Sequence, residues 1–214
     1  MPHSNRPSLT TECGNGRGRP SISVHSKVLC WAALDRGGRL AEECSRRAPT
    51  RRWRQARDAL RDTIEELGYD RKRGIYTQAL ARREVDAALL LLPTVDYVDW
   101  RDERMLRTVA AVREELDAGD GLLYRYRRED SLPGREGAFL CCSFWLVECL
   151  VRGGALEEGR SLFDRTIARA NDLGLFSEEI DPATGELLGN FPQGLTHLAH
   201  IDAAVALAET ERML

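Results

Sequence analysis

Residues 173–185 read LGLFSEEIDPATG and place two adjacent carboxylates, Glu178 and Glu179, between a helical segment and a turn. Asp181-Pro182 followed by Thr184-Gly185 predicts the turn, because proline fixes φ at the second turn position and glycine accepts a positive φ. The two glutamates therefore lie at the end of an element rather than inside a helix. Paired acids there either face water, as most charged pairs do, or serve acid–base chemistry.

About seven helices are predicted from the spacing of apolar residues and from the Gly and Pro positions between them. They cover residues 26–44, 51–66, 84–92, 102–117, 137–152, 155–172 and 195–211. Residues 138–151 are apolar apart from Ser143 and Glu148, which predicts a helix buried on nearly all sides. The helix at 155–172 instead has one apolar stripe. Buried and amphipathic helices thus alternate along an all-α chain.

Composition and charge are those of an ordinary globular chain, with 43% hydrophobic and 30% charged residues among 214. The net charge of −3 lacks the excess of positive charge that is typical of nucleic-acid-binding domains. The first residues lack the apolar run of a signal peptide, and no run is long enough to span a membrane. We therefore expect a cytoplasmic protein with no nucleic-acid or membrane partner. Residues 1–24, rich in Gly, Pro, Ser and Arg, predict a poorly ordered segment before one domain at 25–214.

The six cysteines lack paired CxxC spacing, and the histidines lack the spacing of metal ligands. Cysteines in apolar helical segments usually behave as small buried hydrophobic residues. The sequence therefore predicts buried thiols rather than disulfides, with no metal site and no cofactor.

Several further motifs are distributed along most of the chain. FSEEID at 176–181 is followed by GNFPQ at 189–193 and by Thr196-His197. The upstream motifs, in chain order, are HSKVLCW at 25–31, VDAALLLLP at 85–93, YRY at 124–126 and EGAFLCCSFW at 136–145. In this order they resemble the end of the catalytic domain in glycoside hydrolase family 15, the glucoamylases and their bacterial trehalase-like relatives. The resemblance runs from about His25 to Leu207 and implies an (α/α)6 toroid.

The predicted helices are too few to close such a toroid, so the resemblance implies a partial, incomplete barrel. The helices that precede the family's first catalytic glutamate are the ones without a counterpart. Unpaired inner helices, such as 84–92 and 137–152, would then expose apolar surface. We therefore expect the chain to associate with itself or with a complementing chain, or else to be a truncated product of marginal stability.

The resemblance also implies an inverting mechanism, in which one protonated and one ionised carboxyl group flank the glycosidic bond. Glu178 matches the general base, whereas Glu179 matches a neighbour that varies in kind. An ungapped alignment on His25 places Asn15 where the general acid belongs. An amide has no proton to give, so loss of the acid would lower the rate by about 10²–10⁴-fold. Glu12 would substitute only after a shift of its loop.

Three further residues match substrate-binding positions of the family: Arg125, Asp130 and Glu136. A guanidinium suits vicinal sugar hydroxyls, although Arg125 could equally form a surface ion pair with Glu129 or Asp130. Glu136 could be only a first-turn acid favoured by the helix dipole. The substrate implied is an α-glucan, an α-linked oligosaccharide or trehalose. The alternative is a non-catalytic helical fragment that binds sugar or pairs with another chain.

The toroid interpretation places Glu178 at the same mouth as Arg125 and Glu136. A base must stay ionised, so we expect its partners to be donors such as Arg125, a tyrosine hydroxyl or backbone N–H groups. Glu179 is expected to point away, toward solvent or a helix cap.

Overall fold

The computed structural model describes residues 22–127 and 137–213. Within these ranges the chain forms six α-helices, two short 3-10 helices and seven strands of two or three residues, which confirms the all-α prediction. The helices are α1 (Val24–Glu43), α2 (Thr50–Leu67), the 3-10 helices Ala87–Leu91 and Pro93–Val95, α3 (Glu103–Glu115), α4 (Leu140–Arg152), α5 (Leu156–Ile167) and α6 (Gly194–Arg212). None of these helices has the length and apolar character needed to cross a membrane.

The strands form three small antiparallel sheets at the ends of the helices. They are β1 (Tyr69–Asp70), β2 (Ile75–Tyr76), β3 (Asp117–Gly119), β4 (Leu122–Leu123), β5 (Ala138–Phe139), β6 (Glu179–Ile180) and β7 (Leu187–Leu188). The pairs are β1 with β2, β3 with β4, and the three-stranded sheet β5-β6-β7. Only the last sheet joins distant parts of the chain, because it connects the start of α4 to the segment between α5 and α6.

Three predicted helices differ from the structure by more than two residues at one end. The helix predicted at 155–172 ends at Ile167. The segment 84–92 contains only the short 3-10 helix Ala87–Leu91, because Pro93 follows closely and lacks the N–H that would continue a helix. The helix predicted at 137–152 begins at Leu140, because the two residues before it form β5 and pair with β6.

The folded part begins before the predicted boundary at residue 25. Ser23 caps α1 by accepting a hydrogen bond from the Ser26 N–H at 3.3 Å, and Val24 is fully buried. The Val24 N–H donates to the Gln78 carbonyl at 3.0 Å, which ties the start of α1 to a later loop. Residues 22–24 therefore belong to the domain, and the rest of the predicted N-terminal segment lies outside the described residues.

Helix α4 is the centre of the core. All of its residues are buried except Trp145 and Arg152, which are half-buried, as the apolar run at 138–151 predicts. It packs against α5, α6 and the first 3-10 helix. The expectation that 84–92 and 137–152 expose apolar surface is therefore wrong, because these two segments cover each other and are covered by their neighbours.

Among the described helices, large exposed apolar side chains are most numerous on α1 and α6, while α2, α3 and α5 each carry one, namely Leu67, Leu106 and Ile167. The open face of α1 carries Leu29 and Leu40, and the open face of α6 carries Leu195, Leu198, Ile201 and Val205. These six side chains are between 45% and 60% exposed. By contrast α2, α3 and α5 are amphipathic and turn charged residues to water, so they behave as outer helices.

The cysteines divide between core and surface. Cys141, Cys142 and Cys149 are buried thiols in α4, as predicted. Cys30 and Cys44 are exposed, which corrects the expectation for these two positions. Cys30 follows Leu29 in α1 and is exposed.

Ser143 is a polar residue in this otherwise apolar part of the core. Its hydroxyl is fully buried and has no hydrogen-bond partner among the described residues. A buried polar group without a partner costs about 1–3 kcal/mol, so Ser143→Ala is expected to leave the free energy of unfolding unchanged or raise it by about 1 kcal/mol in urea denaturation. The matched control is Thr108→Val, since the buried Thr108 hydroxyl bonds the Tyr76 N–H and the Arg104 carbonyl. A loss of stability in Ser143→Ala as large as in the control would contradict the assignment.

Candidate functional site

The segment that carries the paired glutamates is fixed from two sides. The Glu178 N–H donates to the Asn190 carbonyl at 2.9 Å, and the Glu178 carbonyl accepts from the Leu140 N–H at 3.2 Å. Leu140 is the first residue of α4, and Asn190 lies in the loop before α6. The backbone at Glu178 is therefore bonded to the start of α4 on one side and to the loop before α6 on the other.

The first turn of α6 holds the residues just before Glu178. The Gln193 N–H donates to the Phe176 carbonyl at 2.9 Å, and the buried Thr196 hydroxyl donates to the Ser177 carbonyl at 3.0 Å. His197 Nδ1 lies 2.8 Å from the Gln193 carbonyl; because a carbonyl only accepts, Nδ1 carries the proton. Nε2 is then free to accept from the Phe176 N–H at 3.4 Å. Helix α6 thus fixes the approach to Glu178.

The carboxylate of Glu178 is half-buried and receives two hydrogen bonds from one residue. Oε2 accepts from the Asn190 side-chain amide at 2.7 Å and from the Asn190 N–H at 3.2 Å. Gly189 makes this approach possible: it has φ +73°, and a Cβ there would lie 3.1 Å from the same oxygen. Both contacts come from N–H donors, for which a carboxylate oxygen is an acceptor.

Glu179 does not point to solvent or to a helix cap, which corrects that expectation. Its Oε2 accepts from the Gly137 N–H at 2.8 Å, and Gly137 allows this because a Cβ there would lie 3.0 Å from the oxygen. The cause is the register of the sheet, in which Glu179 lies opposite Phe139, so the two side chains share one face.

The surroundings of Glu179 favour its protonated form. Burial raises the pKa of the Glu179 carboxyl, the Gly137 hydrogen bond opposes this, and the nearby charge of Glu178 raises the pKa further. Because the folded state holds this proton more tightly than the unfolded state, the stability that Glu179 contributes is lost as pH rises through its raised pKa. Of the two neighbours, Glu179 is therefore held in surroundings that disfavour its ionised form.

Arg125 lies at the same end of α4 as Glu178 but does not bind it. In the described part of the chain, both donors to the Glu178 carboxylate belong to Asn190, so the expected Arg125 contact is not formed. The exposed Arg125 guanidinium carbon instead lies 5.5 Å from the Tyr126 ring centre and 5.9 Å from that of Phe139. Phe139 immediately precedes α4, and the N–H of Leu140, the first residue of α4, donates to the Glu178 carbonyl. The Arg125 guanidinium and the Glu178 carboxylate therefore both lie near the start of α4.

Two further residues border Arg125, and the sequence analysis assigned neither to the site. Burial lowers the pKa of the His25 imidazole; the charge of Asp86 raises it and that of Arg125 lowers it. Asp86 accepts from the Ala88 N–H at 2.7 Å and from the Gln78 amide at 3.2 Å, which caps the first 3-10 helix. An acid directly before an apolar run is an N-cap signal, so the sequence could have indicated Asp86. The starts of α1, the 3-10 helix and α4 thus meet around Arg125.

Several residues named from the sequence cannot be placed. Asp130 and Glu136 lie outside the described residues, as do Glu12 and Asn15. Among the residues that are described, no group of three or more His, Cys, Asp or Glu side chains could hold a metal ion.

A separate cavity of about 430 Å³ lies between α3, α4 and α5. Its floor is leucine and its rim is charged, with Leu123, Leu146, Leu150 and Leu162 below and Arg113, Glu114, Asp117, Glu158 and Arg165 around it. Neither Glu178 nor Arg125 lines this cavity, so it is distinct from the candidate site.

Comparison with known proteins places the chain in a family. Residues 16–205 match the family described as Glycosyl hydrolases family 15. The trehalase of Mycobacterium tuberculosis is 42% identical over 198 residues, which cover 91% of this chain and 29% of that protein. The trehalase of Thermoplasma volcanium is 38% identical over 193 residues, which cover 90% of this chain and 31% of that protein. The chain therefore spans about a third of the length of these curated relatives.

Solved structures share the fold. A glycosidase superposes with a TM-score of 0.74 at 21% identity, over 88% of this chain and 52% of that one. A bacterial glucoamylase solved in complex with acarbose superposes with a TM-score of 0.70 at 16% identity, over 90% of this chain and 34% of that one. The arrangement of helices is accordingly that of part of an (α/α)6 toroid.

Proposed function

We infer, from the premise that this chain belongs to glycosyl hydrolases family 15, that it carries the general-base side of a glycosidase active site. The substrate class is an α-glucosidic bond, in trehalose, an α-linked oligosaccharide or an α-glucan. The relatives named trehalase favour trehalose among these, and the glucoamylase-like fold keeps glucans within the class.

In this proposal Glu178 activates the attacking water. An inverting glycosidase needs an ionised carboxylate on the side of the sugar opposite the leaving group, at about 6.5–9.5 Å from the acid. The observation that carries the proposal is the setting of Glu178: a half-buried carboxylate that receives two N–H bonds from Asn190 on a backbone bonded to the start of α4. Glu178 takes the proton from water as the water oxygen attacks the anomeric carbon; the glycosidic bond breaks, and its oxygen leaves with a proton from the general acid.

Arg125 is proposed to bind the sugar. Its guanidinium is exposed and flanked by the Tyr126 and Phe139 rings, so its donors can reach vicinal hydroxyls while the rings limit its motion. Asp130 and Glu136 are proposed as further substrate-binding residues on the strength of the family motif.

The 214-residue chain assayed by itself is expected to be inactive or strongly impaired, because Asn15 stands where the family has its proton donor. The test is glucose release from trehalose, maltose and starch by the purified chain, with Glu178→Gln prepared in parallel. We expect no release above that of the variant. Release that Glu178→Gln abolishes would show that another acid, such as Glu12, donates the proton.

The second candidate is a sugar-binding fragment without catalysis. The exposed Arg125 beside two aromatic rings favours it, since this arrangement binds hydroxyls without needing an acid. Calorimetry with trehalose and maltose separates the two candidates. A sugar-binding fragment should bind these sugars, lose that binding in Arg125→Ala, and release no glucose in the presence of a complementing chain.

A further inference from the structure

A group of exposed arginines lies at the corner between α1 and α2, and the proposed function does not use it. Residues 44–54 read CSRRAPTRRWR and contain five arginines and no acidic residue. Arg54 is ion-paired with Glu42 at 2.6 Å. The other four arginines are exposed, and together they define the arginine patch: Arg46, Arg47, Arg51 and Arg52.

The charge of the arginine patch is not neutralised by its surroundings. Within residues 22–127 and 137–213, none of its four guanidinium groups forms an ion pair or a side-chain hydrogen bond. Exposed arginines elsewhere do find acids, as Arg113 does with Glu158 on the neighbouring helix. The first turn of α2 also contains no acidic residue. Because like charges placed close together repel one another, the patch does not serve the stability of the fold.

The patch is separate from the candidate site. His25 lies at the start of α1, whereas the arginine patch begins just after the end of this 20-residue helix. A helix of that length spans about 30 Å. The two regions therefore lie at opposite ends of α1, and a ligand on the patch would not occupy the sugar site.

We propose that the arginine patch docks a short acidic segment of another protein, one with several Asp or Glu side chains close together. A guanidinium group is a planar fork of donors that matches a carboxylate with two parallel hydrogen bonds. Acidic residues bound the patch on both sides along the chain, with Glu43 before it and Asp58 after it. A partner that complements it therefore carries its negative charge over a short length.

A nucleic acid fits this surface less well. Proteins that bind single strands combine basic groups with exposed aromatic rings on which the bases stack. The one aromatic residue within 44–54 is Trp53, which is half-buried against α1, where a Cβ on Gly37 would lie 3.6 Å from its ring. The patch thus offers charge without an open stacking surface.

A membrane surface fits less well for a related reason. Interfacial segments bury large apolar side chains among the lipids in addition to their basic groups. Residues 44–54 are all described by the structure, and none of them is an exposed large hydrophobic residue. The acidic protein segment is therefore the partner that the patch complements best.

The probe for the test is a fluorescein-labelled peptide of six glutamates between Gly-Ser ends, and binding to the 214-residue chain is followed by fluorescence anisotropy. Half-saturation is expected below about 100 μM at about 10 mM salt, where the Debye length is about 30 Å. Affinity should fall at least about tenfold at about 150 mM salt, where that length is about 8 Å. The same peptide with six glutamines should not bind.

The double variant Arg51→Gln, Arg52→Gln should weaken binding of the glutamate peptide at least about tenfold, because two charge-assisted contacts are lost. The matched control is Arg71→Gln, Arg82→Gln, which removes two exposed arginines outside the patch and should change affinity by less than about twofold. The double variant Arg46→Gln, Arg47→Gln, before α2, should show the same loss as the first pair, so the result does not depend on one helix end remaining intact.

Other outcomes would overturn the proposal. No binding of the glutamate peptide, or an equal loss in the control variant, would show that the patch is not a docking surface for acidic segments. Tighter binding of a thymidine hexanucleotide, or of phosphatidylserine vesicles, that is lost in the patch variants would replace the acidic segment by a nucleic acid or a membrane.

The experiment is independent of the proposed function, because it measures neither sugar binding nor glucose release. Glu178→Gln should bind the glutamate peptide as tightly as the unmodified chain, since Glu178 lies outside the arginine patch. Failure of the glycosidase assays would leave the docking surface standing, and failure of peptide binding would leave the glycosidase proposal standing.

Discussion

Glu178→Gln is expected to lower glucose release from trehalose by about 10²–10⁴-fold when the chain is assayed with a complementing chain that supplies the general acid, because an amide cannot take a proton from water. The side chain keeps its size and still accepts from the Asn190 amide and N–H. The rate constant for chemistry should therefore fall while complex formation, measured by sedimentation, stays unchanged.

Glu179→Gln is the matched control for this experiment. It makes the same change one residue away, and its amide oxygen can still accept from the Gly137 N–H. We expect a loss smaller than about tenfold, since Glu179 is assigned no proton transfer. If Glu179→Gln instead gives the large loss and Glu178→Gln the small one, the base is Glu179, and the face that it shares with Phe139 is the catalytic face.

Phe144→Ala is expected to lower the free energy of unfolding by about 3–5 kcal/mol. Phe144 is fully buried in α4, and its ring centre lies 5.3 Å from that of Phe176, 6.1 Å from that of Phe163 and 5.2 Å from that of His200. Removing the ring leaves a cavity where α4, α5, α6 and the segment before Glu178 meet. Urea denaturation followed by circular dichroism measures the loss.

Two further variants calibrate that measurement. Phe144→Leu keeps most of the apolar volume and should cost less than about 1.5 kcal/mol, which gives a usable value even if the alanine variant does not fold. Leu173→Ala, on the surface, should change stability by no more than about 0.5 kcal/mol. A cost for Phe144→Ala no larger than for the surface variant would show that the aromatic cluster does not hold these helices together.

The helices were predictable where the apolar pattern is long and regular. The run at 138–151 indicated a buried helix, and α4 is one. The first residues of that segment form β5 because they pair with β6, some 40 residues further on, and a two-residue strand has no pattern of its own. The segment 84–92 was too short and too close to Pro93 to complete an α-helix.

The position of the open surface was also not predictable from the pattern. An apolar helix face looks the same in sequence whether its neighbours are present or absent. Within residues 22–127 and 137–213, α4 is packed on nearly all sides, whereas α6 is packed on one side only. Which helix face remains exposed depends on how the helices are arranged around one another, and that is a property of the tertiary structure.

For the candidate site, the sequence indicated the residues better than their contacts. The motif indicated Glu178, and the structure supplies donors for its carboxylate, but they belong to Asn190 and not to Arg125. Glu179 turns to the Gly137 N–H because the sheet register sets its direction. His25 and Asp86 approach Arg125 only because three helix starts converge, which no local pattern reveals.

The hydrogen bonds at residues 176–178 have a kinetic consequence. The backbone on both sides of Glu178 is bonded within this chain, to α4 and to the first turn of α6, so the carboxylate does not wait for a partner to be positioned. Proteins that meet without reorganising associate at about 10⁵–10⁷ M⁻¹s⁻¹, and slower when a segment must first fold. A complementing chain would therefore meet a carboxylate whose backbone is already fixed, and its association would be limited by collision and orientation.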